Sequence, residues 1–299
     1  MTHQKSAYIA GLSAVAIWST VATAFKLALA HLAPLQLLFI ATISSSIALL
    51  GVLAFQKKLY KIKHMSTKEV LKNCGLGFIN PFLYYVTLFK AYELLPAQEA
   101  QALNYTWAIT LTLLSVPFLG HKITLKDAGA ICLSYFGVLL IATHGAPLSL
   151  HFSNGTGAAL ALGSTIIWAG YWIINARNTG DPVAGLTVSF LFSIIPCTAA
   201  MLYFDPITSE HLSNASAMLS AGYVGFFEMG ITFVLWLTAL KLTESTAKIS
   251  NLIFLSPILS LVLIHFILGE EILSSTIWGL GCILGGNAIQ QLKAKASHS

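Results

Sequence analysis

Charge is what this chain lacks. Only 9% of its 299 residues are Asp, Glu, Lys or Arg, against about a quarter in a soluble domain. So few charges cannot cover a surface that faces water, which excludes a soluble enzyme of ordinary composition. Apolar content of 56% and a mean hydropathy of +0.78 exclude a disordered chain as well. Chemistry-bearing motifs are also missing. No Gly-rich loop ends in Gly-Lys-Ser/Thr, so no ATPase is built in. No HExxH, GxSxG or paired-aspartate pattern occurs. Cys74, Cys132, Cys197 and Cys282 fall singly in apolar stretches, and no histidines cluster at ligand spacing. A non-enzyme with no catalytic residues, no metal and no cofactor is expected. The net charge of +5 does not point to nucleic acid, because the cations sit in loops beside apolar segments.

What is there is apolar length. About 20 apolar residues span a bilayer. Ten such segments can be read, at roughly 8–29, 34–55, 72–93, 97–119, 127–144, 157–176, 183–204, 217–240, 246–268 and 273–292. The connections are short, so no extramembrane domain is expected. Lys5 precedes a first run that contains Trp18 and Lys26 and lacks a small-residue cleavage site, which reads as a retained span rather than a signal peptide. Interior Pro81, Pro117, Pro196 and Pro257 fit a packed bundle that tolerates kinks.

Cation placement gives the orientation. Alternate loops hold Lys57, Lys58, Lys61, Lys63, Lys68 and Lys72, then Lys122 and Lys126, then Arg177, then Lys241 and Lys248; the tails hold Lys5, Lys293 and Lys295. The other loops (30–33, 94–96, 145–156, 205–216, 269–272) hold no Lys or Arg. Ten spans with both termini cytoplasmic, in a bacterial inner membrane, are expected.

The chain also repeats itself. Phe118-Leu119-Gly120-His121-Lys122-Ile123 answers to Ile267-Leu268-Gly269-Glu270-Glu271-Ile272, Gly137 to Gly286, and the surroundings of Trp18 to those of Trp168. Five spans is an odd number, so the halves, residues 1–146 and 147–299, must face opposite ways. Inverted repeats of this kind mark transporters, with the substrate held where the halves meet. The fold expected is all-α and integral to the membrane: two inverted five-helix repeats around a central cavity, forming one transport unit.

Leu237-Thr238-Ala239-Leu240-Lys241, Ser256-Pro257, Leu268-Gly269-Glu270 and Gly279 through Gly286 resemble the drug/metabolite transporter superfamily, EamA type. The first half departs from that pattern, with Ala108 at the position of Pro257 and His121-Lys122 at that of the acidic residue. Gln98 through Trp107, with its Asn104-Tyr105-Thr106-Trp107, is similar to the aromatic amino-acid exporter branch, except that Ala108 replaces a proline. The resemblance implies alternating access and export of amino acids or other small metabolites.

Costly polar groups within spans are the candidate site. Glu228 lies mid-segment, with Thr232 and Trp236 on the same helical face, and is suited to a substrate ammonium or a proton. Lys26 could meet a carboxylate, pair with Glu228 or Glu99, or reach the interface. Lys90 with Glu93 reads as an interfacial ion pair. Asn80, Tyr84 and Thr87 form one stripe, Trp168, Trp172 and Asn175 another; Asn104, Trp107 and Asn251 mark segments four and nine. Trp18, Trp107, Trp168 and Trp172 are expected to wall an aromatic cavity able to stack a ring or hold a cation. The substrate-binding set is therefore Glu228, Trp18, Asn80, Tyr84, Asn104, Trp107, Trp168, Trp172, Asn251 and Lys26. Gly129, Gly137, Gly279, Gly281, Gly285 and Gly286 read as packing faces, within a monomer or in a homodimer.

The leading expectation is a secondary exporter of amino acids, working in the bilayer on a small-molecule substrate. Export of other cationic or amphiphilic metabolites or drugs is the alternative. A nucleotide sugar fits less well, because it would favour a cationic cavity and Lys26 and Lys90 are the only candidate cations, offset by the acids Glu228 and Glu99. An intramembrane enzyme would need clustered acids or histidines, and a channel would show no saturation.

Overall fold

The computed structural model describes residues 3–119, 124–148, 154–175, 180–243, 249 and 251–294, without the side chains of Leu119, Asp127, Asn251 and residues 290–294. Lys122, Arg177, Lys248, Lys295 and the Gly120–Lys122 turn, all invoked above, lie outside these residues.

Helices follow the apolar segments. They are α1 (His3–Leu29), α2 (Pro34–Phe55), the short α3 (Tyr60–Lys63), α4 (Thr67–Gly77), α5 (Tyr84–Leu94), α6 (Ala97–Asn104), α7 (Trp107–Leu119), α8 (Leu125–Ala142), α9 (Gly155–Asn175), α10 (Pro182–Phe204), α11 (Ser209–Ser213), α12 (Ala215–Tyr223), α13 (Thr232–Leu242), α14 (Leu255–Leu263) and α15 (Ser274–Ala294). Among the described residues five helical stretches are long and apolar enough to cross a membrane: α1, α2, α9, α10 and Ala215–Leu242, which takes in α12 and α13. About half of each is buried. The other faces show Ile9, Ile47, Ile195, Leu202 and Leu219 outward, as lipid contact requires.

Four rods are interrupted among the described residues, and the interruptions come in pairs. Wide π-helical turns span Phe78–Leu83, between α4 and α5, and Val224–Ile231, between α12 and α13. In the first, Asn80 is extended (φ −141°, ψ 117°) and Pro81 has no N–H to give. Asn80, Tyr84 and Thr87 therefore do not share the face that a regular helix would give them. The next rod of each half breaks too, at Tyr105-Thr106 between α6 and α7 and in a 3-10 turn at Asn251–Phe254 before α14.

Packing interleaves the two halves. α1 lies on α13 and on α14; in mirror fashion α9 lies on α5 and on α7. α2 packs on the Val224–Ile231 turn, and α10 on α4 and the Phe78–Leu83 turn. α2 pairs with α10, and α8 with α15. The α8–α15 seam is glycine-lined. A Cβ on Gly137 would strike the Gly279 carbonyl and lie 2.9 Å from Cys282, and one on Gly286 would lie 2.6 Å from the Ala130 carbonyl. Gly129 and Gly281 have open space around them, so the packing face comprises Gly137, Gly279 and Gly286 with Gly285 at its margin.

One polar tie joins α3 to the start of α10. Asp181 caps α10, accepting from the amides of Val183 (3.1 Å) and Ala184 (3.2 Å), and meets Lys61 Nζ at 2.5 Å. The hydrogen bond and charge of Asp181 hold the Lys61 ammonium above its ordinary value despite some desolvation. Partial burial pushes the Asp181 carboxyl up, but the Lys61 hydrogen bond, the Ala184 amide and nearby lysine charge outweigh it and leave it below the ordinary value. This contribution is present at neutral pH. It is lost as pH falls through the lowered Asp181 value, or rises through the raised Lys61 value. Asp181→Ala is expected to cost about 1–2 kcal/mol, mostly through the cap. Thermal unfolding checks this, and the gap between parent and variant should narrow in acid.

Candidate functional site

Two adjoining cavities lie where the interrupted rods meet. The smaller, about 120 Å³, is bordered by Trp18, Phe25, Tyr84, Tyr85, Tyr92, Asn104, Tyr105, Trp107, Trp168 and Glu228, among others. The larger, about 570 Å³, shares Trp18, Tyr105, Trp107 and Trp168. It continues along α7 past Thr112 and Ser115 to Trp172, Trp236, Leu240, Phe254 and Asn287.

Glu228 is delivered by the π-helical turn, which widens the rod locally and rotates the carboxylate off the regular helical face. It is 8% exposed. Tyr85 donates its hydroxyl to Oε1 at 3.0 Å. The Trp18 indole stands beside the carboxylate, yet Oε2 keeps no partner of ordinary hydrogen-bond geometry. Thr232, expected on the same face, turns instead to the Phe227 carbonyl at 2.7 Å. Trp236 does reach the cavity and packs on Trp18, with centroids 5.2 Å apart.

Trp168 is the hub of the aromatic wall. It stacks on Tyr84 (4.7 Å, 29°) and Tyr171 (5.8 Å) and meets Trp172 (5.7 Å) and Phe233 (5.9 Å) edge-on. Asn104 is held by Ser164, to which Nδ2 donates at 3.0 Å, with the Tyr84 hydroxyl at 3.5 Å. Asn287 Nδ2 donates to the Tyr105 carbonyl at 3.1 Å, while its buried Oδ1 is unpartnered. Trp172 Nε1 is a buried donor, likewise unpartnered.

Of the residues expected to bind substrate, the structure brings Glu228, Trp18, Tyr84, Asn104, Trp107, Trp168 and Trp172 to these walls. Asn80 is fully buried in its own broken turn beside the Tyr171 phenol and borders neither cavity. Asn251 opens the 3-10 turn, but its side chain lies outside the described residues. Lys26 stands apart. Its Nζ donates to the carbonyls of Tyr92 and Leu95, both at 3.0 Å, where α5 ends and its dipole is negative. Lys90 does pair with Glu93, and Glu99 pairs with His144 Nε2 at 2.6 Å. Tyr85, Tyr105, Phe233 and Asn287 were not anticipated. Tyr105 lies inside the Asn-Tyr-x-Trp run and Asn287 follows the glycines of α15, which were the available signals.

Beyond Lys26 a hydrogen-bonded latch joins the two halves. Glu270 accepts from the first amides of α6, Ala97 at 2.8 Å and Gln98 at 3.3 Å. Gln98 returns its Nε2 to the Glu271 carbonyl at 2.8 Å, and its Oε1 accepts from Thr276 at 2.8 Å. Gly269, left-handed at φ 70°, ends the preceding rod and swings Glu270 into place. The larger cavity extends away from this latch, along α7.

Relatives agree with this architecture. The chain is 24% identical to the uncharacterized transporter YvbV of Bacillus subtilis over 289 residues, covering 95% of this chain and 91% of that protein. It is 23% identical to an uncharacterized transporter of Archaeoglobus fulgidus over 278 residues, 91% of this chain and 94% of that one. A crystal structure 19% identical to it superposes with a TM-score of 0.69 over 99% of this chain and 100% of the other, a likeness of fold. Residues 5–143 and 155–289 each match one and the same family description, so the repeat read from sequence is a repeat of the family unit. With its interleaved halves, its paired helix breaks and these two matches, the chain belongs to the EamA-like transporter family.

Proposed function

We propose that this membrane transporter is a secondary carrier that exports a small amphiphile bearing a protonated amino group. It works in a bacterial inner membrane with both termini cytoplasmic. Residues 1–146 and 147–299 act as two inverted five-helix units that rock about the central cavity. Amino acids are the class that the sequence suggested; other cationic amphiphiles are the alternative.

One observation carries this reading: Glu228, a buried carboxylate with an unpartnered oxygen at the wall of an aromatic cavity. An ammonium answers both features, because it pairs with the carboxylate and lies against ring faces. The paired breaks support it too, since interrupted rods at matching positions of inverted halves are where transporters hold substrate. Under the expected orientation the larger cavity opens toward the cytoplasm, as an exporter loading its substrate requires.

Proteoliposomes loaded with unlabelled amine or amino acid provide the test. A carrier takes up labelled substrate by counterflow and saturates. Flux that rises linearly with concentration and shows no counterflow points to a channel and sinks the proposal. Labelling of a single cysteine introduced at position 62 checks orientation. It should react from the cytoplasmic face, and reaction from the other face contradicts the direction assigned.

A further inference from the structure

The expected amino-acid substrate carries two charges, and the cavity answers one of them. Among the described residues bordering the two cavities, none is Lys, Arg or His. Lys26 is the nearest described cation on α1, and its ammonium is spent on two carbonyls at the end of α5. Lys90 is bound to Glu93 and His144 to Glu99. The amide of Asn104 is committed to Ser164 and that of Asn287 to a backbone carbonyl.

Charge among the described residues at the walls is of one sign, that of Glu228. Glu228 Oε2 and Asn287 Oδ1 are acceptors, and one of them carries charge. Trp172 Nε1 is a fully buried donor without a partner, and the Gln101 amide, the Trp107 and Trp168 indoles and the Tyr84 and Tyr105 hydroxyls border the same cavities as further neutral donors. A carboxylate in an apolar cavity needs charged or multiple donors to offset its lost hydration. Among the described residues these walls supply no charged donor, their neutral donors surround the negative Glu228, and their aromatic faces repel an anion while they attract a cation.

Resting on the ammonium reading of Glu228, we infer that the site selects monocationic amines with an apolar or aromatic body and rejects the zwitterionic amino acids of the same shape. Trp172 Nε1 then serves a hydroxyl or carbonyl on the ligand. The volume of the larger cavity leaves room for a ring or chain well beyond the amino group, along α7 toward Trp236 and Phe254.

The experiment compares phenethylamine, phenylalaninol and phenylalanine by titration calorimetry on the purified full chain. Phenylalaninol keeps the size and the amine of the amino acid and replaces its carboxylate with a neutral hydroxymethyl. Both amines should bind at least tenfold tighter than phenylalanine, and Glu228→Gln should abolish the difference. Phenylalanine binding as tightly as phenylalaninol, with both lost in Glu228→Gln, overturns the selectivity and leaves the ammonium site standing. Amine binding that is undiminished in Glu228→Gln, or absent from the parent, overturns the ammonium site itself and the selectivity with it. 3-Phenylpropionate is the anionic arm; binding tighter than phenethylamine overturns both.

Discussion

Glu228→Gln should lower the transport of a cationic substrate by about two orders of magnitude without loosening the protein. Taking one partner from a buried ion pair costs about 3–5 kcal/mol, because the other charge is left uncompensated. In the variant that penalty falls on the bound ammonium, so KM rises steeply. The empty protein behaves in the opposite way. Its carboxylate is buried with a single donor, Tyr85, and Oε2 unpartnered. An amide in its place removes a charge that burial disfavours, so the apparent melting temperature should hold or rise. Initial rates in proteoliposomes and thermal unfolding of the same preparations read the two effects separately. A variant that transports normally removes Glu228 from the site. One that melts early shows that the carboxylate is structural.

Gly137→Ala should produce a large loss of stability from a single methyl group. The new Cβ has nowhere to go: it meets the Gly279 carbonyl of α15, which is backbone and cannot rotate away, with Cys282 at 2.9 Å behind it. Overpacking of this kind costs about 1–3 kcal/mol, and the seam it opens joins the two halves. Gly281→Ala, on the same α15 but with nothing within 4 Å, is the matched control. Alanine there gains helix propensity, so stability should stay level or rise slightly. Unfolding of the two variants beside the parent decides the matter. Equal melting of all three means that the seam is not close-packed in the membrane.

These predictions draw differently on what could be read before the structure. The helical rods were legible because lipid demands long apolar runs, and that demand is written residue by residue. Gly137 and Gly286 were legible as a pair through the repeat, and their joint seam follows. The tryptophans were legible too, since Trp168 and Trp172 lie mid-span where an interfacial belt does not form. What escaped was direction. Periodicity assumes a regular helix, and it fails at Asn80-Pro81 and around Glu228, where the rods widen or break. Thr232 therefore turned to backbone, and Asn80 left the stripe it formed on paper with Tyr84. Lys26 escaped for another reason. Its partners are carbonyls at Tyr92 and Leu95, and a backbone acceptor has no letter in the sequence. Tyr85 is legible only once the turn of Glu228 is known.

The Glu270 latch is a polar contact between the two halves. Its carboxylate belongs to the second half and the amides it holds to the first. Prising these groups apart has a polar part to its cost. It exchanges peptide N–H partners for water, and hydrogen bonds traded for hydration nearly balance. A seal of oily side chains would charge for every square ångström uncovered. The hydrogen bonds of this latch carry no such cost, so they add little to the work of parting the two halves.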